Sequence, residues 1–269
     1  MTDHYLNLMK RVLTGTIHRD GAIPSHLSPG AEFDPDTREI GGDWPRVAHT
    51  MVGLRRLDNV HECLDRAVAD GVPGDFVETG VWRGGVCIFA RAYFAAHGIT
   101  DRRVWVADSF QGIPPTADGA HPVDRVMRLD AANDVLGVPL AEVRANFAEY
   151  DLLDDQVRFL PGWFADTLPT APVERIAVLR LDGDLYESTM DALTHLFPKL
   201  SPGGFVIVDD YHAIQSCRDA VHEYRDRHGI IAEIHRIDHM GAYWRRPGAT
   251  GGDPGRETTK KASATSVPS

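Results

Sequence analysis

Two aspartates stand side by side, Asp209 and Asp210, where the apolar run of GGFVIVDDY ends, and a third, Asp182, ends the run of IAVLRLDGD. Adjacent carboxylates repel, and each raises the other's pKa unless a cation or a proton intervenes. A hard divalent cation such as Mg²⁺ removes that conflict, because it takes oxygen ligands and keeps positions open for water or substrate. Asp182, Asp209 and Asp210 are therefore the candidate metal ligands, and Asp184 is spaced to face the same cleft. The competing reading makes each aspartate a helix or turn cap in a surface loop. If chemistry happens here, Asp182 is the first candidate for general base, with Asp184 and His212 the others.

A second constellation lies upstream, in VETGVWRGG at 77–85. Gly80, Gly84 and Gly85 let the backbone turn sharply and approach a ligand closely. Their spacing is not the G-x-G-x-x-G of dinucleotide folds, and tight packing alone would also use such a turn. Glu78 just before it is poorly placed for a pyrophosphate and well placed for an ammonium group. Asp108 in VWVADSF can accept both hydroxyls of a ribose, or else cap the following segment. A ribose-binding acid fits NAD or S-adenosylmethionine; Glu78 favours the sulfonium nucleoside, whose tail is an amino acid.

The elements that must position these residues follow from periodicity. Helical spacing of apolar residues predicts helices over 4–14, 49–70, 84–98, 188–196 and 215–228. Strands are predicted at 75–79, RVWVADS, VRFLPG, IAVLRLDGD and GGFVIVDDY, with EIHRID and GAYWRR as a closing pair. Residues 20–45 read as loop, and 111–140 as a long irregular excursion that fits a lid over an acceptor. Strands alternating with helices imply an α/β fold with a mostly parallel sheet covered on both faces. AVLRL and FVIV are nearly continuous in apolar residues, as doubly buried strands are. Ligands of such sheets sit beyond the carboxyl ends of the strands, where Glu78, Asp108, Asp182, Asp209 and Asp210 all fall.

The whole chain narrows the partners. With 269 residues, 43% of them hydrophobic, it can bury a sizeable core in one large domain or two small ones. A formal net charge of −11 argues against nucleic acid or an anionic membrane. No apolar run reaches the roughly 18–20 residues that span a bilayer, no secretory h-region is visible, and the expectation is a cytoplasmic protein. Cys63, Cys87 and Cys217 form neither a disulfide framework nor a zinc spacing, and the thirteen histidines are scattered. From Pro247 the composition cannot offset ordering entropy, so 247–269 is expected to be a disordered tail. RRLD at 55–58 and EYRDRH at 223–228 read as solvated helix faces, and Trp82 either shields the sulfonium region or packs under the second helix.

DFVETGVWRGG, VWVADSFQG, FLPGWFADTLP, LRLDGDLYEST and LSPGGFVIVDDY together resemble the macrocin-type O-methyltransferases over residues 4–246. The resemblance implies a class I methyltransferase fold, Rossmann-like, with a seven-stranded sheet. It further implies an enzyme that uses S-adenosylmethionine and Mg²⁺ to methylate a sugar hydroxyl of a glycosylated natural product in antibiotic-type secondary metabolism, working as a homo-oligomer. By resemblance Thr50, Met51, Glu78 and Gly80 hold the methionine end of the cofactor, Asp108 and Ser109 the ribose, and Gly162 and Trp163 the adenine. Asp182, Asp209 and Asp210 would bind the metal. Related catechol-type enzymes carry Asp-Asn where this chain has Asp209–Asp210, and a lysine after the first metal aspartate that DGDLYES lacks, so a lysine base is not expected. The implied organisation is an N-terminal helix and loop over 1–45, serving as lid or oligomer contact, a methyltransferase domain over 46–246 with a lid insertion at about 111–145, and the tail. The rival readings are an NAD-dependent oxidoreductase, a methyltransferase acting on a phenolic hydroxyl, a metal-dependent hydrolase and a non-catalytic scaffold.

Overall fold

The computed structural model describes residues 2–25 and 30–248; the expected tail from 249 onward lies outside them. Seven strands form one sheet: β1 (Asp75–Thr79), β2 (Val104–Asp108), β3 (Val157–Pro161), β4 (Ile176–Leu181), β5 (Leu200–Val208), β6 (His235–Arg236) and β7 (Ala242–Arg245). Their order is β3-β2-β1-β4-β5-β7-β6. The first five run parallel, and β7 pairs antiparallel with both β5 and β6. This is the mostly parallel, seven-stranded α/β architecture anticipated above.

Alternation along the strands divides the core between two faces. Phe76, Val106, Val178, Phe205 and Ile207 pack on one face with helices α2 (Gly53–Ala69) and α3 (Gly85–Ala96). Val77, Trp105, Leu179, Val206 and Trp244 pack on the other with α5 (Tyr186–Leu196) and α6 (Gln215–Arg227). Each such large side chain, fully buried, contributes about 1.5–3 kcal/mol. The N-terminal helix α1 (Thr2–Leu13) buries Leu6, Met9 and Leu13 against the first of these cores and is a packed part of the domain.

Three regions differ from the sequence reading. The second helix begins at Gly53 and not at 49, leaving Thr50–Val52 as a bend before it. Residues 20–45 are more than a loop: Ala22–Ile23 pairs with Trp44–Pro45 and a short helix spans Pro35–Glu39. The buried Arg38 organises them, forking onto Asp43 at 2.8 and 2.7 Å and donating to the carbonyls of Thr14 and Asp20 at 2.7 Å. The excursion holds short helices at Pro122–Met127 and Asn133–Leu136, then the longer α4 (Leu140–Glu149), which buries Val143 and Phe147.

The strand tips are tied together one residue beyond the strands. Asp182 N donates to Thr79 O, Gly80 N to Ala107 O and Asp209 N to Leu181 O, each at 2.9 Å. Gly80, at φ 81°, permits this: a Cβ there would lie 1.7 Å from the Asp182 carbonyl oxygen. Gly80→Ala is expected to lower stability by about 2–4 kcal/mol, from left-handed strain and overpacking together. Urea unfolding of the variant against the wild type checks it.

Candidate active site

A cavity of about 480 Å³ opens beyond the carboxyl tips of β1, β2, β4 and β5. It is lined by Thr50, Met51, Glu78, Gly80, Asp108, Ser109, Trp163, Asp182, Asp184, Asp209 and Asp210, so most of the residues singled out from sequence meet in one place. Gly162 and His212 are not among its lining residues. Gly162 supports the wall from behind, its N–H donating to Asp108 O at 2.9 Å. His212 packs edge-on against Tyr211, with Nε2 buried and unpartnered and its pKa lowered by burial.

Asp108 is held rigidly: Val81 N donates to one carboxylate oxygen and Phe110 N to the other, both at 2.7 Å. Burial nonetheless raises its pKa. Ser109 Oγ also approaches Oδ1 at 3.5 Å, and Oδ2, held by Val81 N, keeps a lone pair for a ligand hydroxyl. The glycine turn above it carries Trp82 in the left-handed region at φ 49°. Its indole N–H donates to Val135 O at 2.8 Å and its ring receives the Arg83 guanidinium at 4.1 Å. Trp82 thus lines the cavity and fastens the excursion to the turn, a role neither sequence reading supplied.

The acidic cluster is real, and it contains two arginines that the sequence reading passed over. Oxygens of Asp182, Asp209 and Asp210 lie within 4.8 Å of one another. Arg180, fully buried on β4, is the direct register partner of Glu78 on β1. Its Nη1 donates to Glu78 Oε1 at 2.5 Å and to Asp182 Oδ2 at 2.7 Å, while Nη2 donates to Asp209 Oδ1. Arg56, from the helix face RRLD, is buried rather than solvated: it donates to Asp209 Oδ2, and its Nε lies 3.3 Å from Asp238. Arg55 beside it is exposed and pairs with Glu39, as a solvated face requires. Likewise Arg225 in EYRDRH is buried over the Trp244 ring, while Arg227 is exposed. Glu78 is also approached by Cys87 Sγ at 2.8 Å.

Two guanidiniums do not balance five carboxylates, Glu78, Asp182, Asp184, Asp209 and Asp210. Burial pushes Glu78 up to about 7 even against Arg180. Burial and then Asp209 push Asp182 up to about 6. Asp184 and Asp210 are raised well above the usual range by burial first and by their acidic neighbours second. Asp184 also sits in the left-handed region at φ 57°. The donor set of hard carboxylate oxygens, close together and short of positive charge, fits a small divalent cation.

The remaining walls are of two kinds. Ile113, Pro114, Met127, Leu129 and Leu136 of the excursion make an apolar side, and Glu187, Ser188 and Asp191 of α5 a polar one. The excursion is pinned by the fully buried Asp124, which accepts from Tyr186 N at 3.0 Å and from Ser216 Oγ. That contact caps α5 two residues earlier than the sequence suggested. No helix among the described residues is long and apolar enough to cross a membrane.

The family profile for macrocin-O-methyltransferase (TylF) matches residues 2–246. The chain is 63% identical over 248 residues to the 8-demethyl-8-(2,3-dimethoxy-alpha-L-rhamnosyl)-tetracenomycin-C 4'-O-methyltransferase of Streptomyces olivaceus, covering 92% of this chain and 94% of that one. It is 58% identical over 244 residues to the mycinamicin III 3''-O-methyltransferase of Micromonospora griseorubida, covering 90% and 96%. The solved structure of the O-methyltransferase NovP superimposes with a TM-score of 0.88 at 53% identity, over 92% of this chain and all of that one.

Excess buried negative charge makes a prediction about the ligand-free protein. A carboxylate whose folded pKa is raised above its unfolded value stabilises least when ionised, so its contribution falls as pH rises. Asp210→Asn removes such a group. In EDTA it is expected to raise the unfolding temperature relative to wild type at pH 8 and to change it less at pH 5. Thermal denaturation at the two pH values checks the difference.

Proposed function

The chain belongs to the macrocin-O-methyltransferase family and is an O-methyltransferase, and on that premise we propose that it methylates a sugar hydroxyl of a glycosylated natural product, with S-adenosylmethionine as donor and Mg²⁺ at Asp182, Asp209 and Asp210. The observation that carries this reading is the convergence of those three carboxylates, within 4.8 Å, in the same cavity as Glu78, Gly80 and Asp108. Family membership removes the oxidoreductase, hydrolase and scaffold alternatives. The two relatives described above act, by their names, on a rhamnosyl tetracenomycin and on mycinamicin III, which supports a glycosylated acceptor over a simple phenol.

When bound, the donor supplies a methyl group on a positively charged sulfur, and the cation supplies Lewis-acid stabilisation of negative charge on oxygen. The chain's own residues do the rest. Asp108, with both oxygens already oriented by Val81 and Phe110, takes the ribose hydroxyls beside Ser109. Glu78 has its two oxygens on Arg180 and Cys87, yet a carboxylate accepts about four hydrogen bonds, so the donor's ammonium fits as well. Thr50 and Met51 close the methionine end, and Trp163, backed by Gly162, borders the adenine.

The acceptor sugar meets the polar wall of α5, and its aglycone meets the apolar wall of residues 113–136. Residues of about 111–145 form the acceptor lid. A sugar hydroxyl does not ionise at neutral pH, so a base must receive its proton. Asp182, Asp184 and His212 are the candidates for that role; Asp182 and Asp184 line the cavity, and His212 lies off its lining. The donor, when bound, would supply the methyl group to the acceptor oxygen and keep the electron pair of the broken bond on its sulfur, while the base takes the hydroxyl proton. Alignment of acceptor and methyl supplies much of the rate. The homo-oligomer and the cytoplasmic setting are part of this proposal.

Asp182→Ala and Asp209→Ala are each expected to lower turnover by about 100-fold or more, and EDTA to do the same to the wild type until Mg²⁺ is restored. Mass spectrometry of methylated product, over a panel of glycosylated natural products, reads both effects. Full turnover in chelator would remove the cation from the account.

A further inference from the structure

Arg180 joins the two halves of the site through a single group. Its Nη1 carries two hydrogens, and the structure spends one on Glu78, at the donor side, and one on Asp182, at the cation side. Nη2 reaches Asp209, whose other oxygen is held by Arg56. The guanidinium is fully buried and the three carboxylates come from three neighbouring strand tips, β1, β4 and β5. A planar fork with fixed donor directions links carboxylate orientations in a way that a lysine ammonium does not.

We propose that Arg180 is a positioning residue that couples the donor and cation subsites, so that each ligand strengthens the binding of the other. The proposal rests on the reading above that both ligands bind here. A ligand that fixes Glu78 fixes the guanidinium, and with it Asp182 and Asp209. A ligand that draws on Glu78 thus changes the hydrogen bonds that Arg180 gives to Asp182 and Asp209, which meet the other ligand. Because coupling is reciprocal, the factor by which Mg²⁺ tightens the donor equals the factor by which the donor tightens Mg²⁺.

The test is calorimetric titration with S-adenosylhomocysteine as the donor-site probe, in Mg²⁺ and in EDTA, and of Mg²⁺ with and without the probe. For the wild type we expect a ratio of about 5 or more in both directions. For Arg180→Lys, which keeps the charge and loses the fork, the ratio is expected to fall to about 1 in a variant whose circular dichroism remains native. A merely structural arginine would weaken both ligands, or lower the unfolding temperature, and leave the ratio intact; that result overturns the proposal. A wild-type ratio near 1 also overturns it, whether or not the variant folds. A wild type that binds no Mg²⁺ at all would sink the cation reading and this coupling with it, whereas two ligands that bind well but independently would sink the coupling alone.

Discussion

A buried guanidinium surrounded by carboxylates is the constraint that organises this molecule. Burying a charge is costly unless it is paired and hydrogen-bonded, and Arg180 meets that condition only because β1, β4 and β5 are adjacent and in register at their carboxyl ends. Period-two alternation puts Glu78, Arg180 and Asp182 on the same sheet face as Phe76 and Val178, the face covered by α2 and α3. From α2 comes Arg56, which completes the neutralisation of Asp209. The polar site and the apolar core are therefore consecutive layers of one sheet face. Burial raises the carboxylate pKa values even at Glu78 and Asp182 beside Arg180, and raises Asp184 and Asp210, which line the cavity, well above the usual range.

Stability and chemistry pull against each other at the same atoms. A cluster fully neutralised by arginines would have no use for a cation, and a cluster without them would resist folding. The observed compromise leaves Asp209 clamped from both sides and Asp182 tied by one oxygen. Gly80 serves the same compromise in the backbone, since only a residue without a Cβ lets the β1 tip press against the Asp182 carbonyl. Geometry that sharp comes from rigid strand ends, whereas the apolar wall of the cavity is built from short helices and turns.

Much of this was legible in the chain. Strands β1 to β5 announce themselves as apolar runs, and their polar last residues mark the ligand edge of a parallel sheet. What escaped notice has physical reasons. Arg180 interrupts LRL by one position, and a single charge inside a buried strand reads as noise unless it is treated as a demand for partners on neighbouring strands. Arg56 sits beside the exposed Arg55, and only the angular position on α2 separates them. The ribbon of Ala22–Ile23 with Trp44–Pro45 is too short for periodicity to show, and its stabiliser, Arg38, acts through backbone carbonyls distant in sequence. Helix α4 is absent from the predicted helices because three of its six apolar residues are alanines and, of the six, only Val143 and Phe147 are buried.

Polar contacts attach the excursion, Trp82 to Val135 and Asp124 to Tyr186 and Ser216, and the pair Asn133 and Ile113 braces it internally. None of these uses the side chains of Met127, Leu129 or Leu136 that face the cavity. Leu129 also packs against the core, so Met127 and Leu136 are the positions that line the cavity apart from this fastening. Mutational drift at the inward apolar positions can reshape which molecules are admitted while the fastening, the strand tips and the reaction they serve stay as they are. A scaffold divided this way is well suited to gene duplication, each copy inheriting the strand-tip geometry while the apolar wall is free to vary.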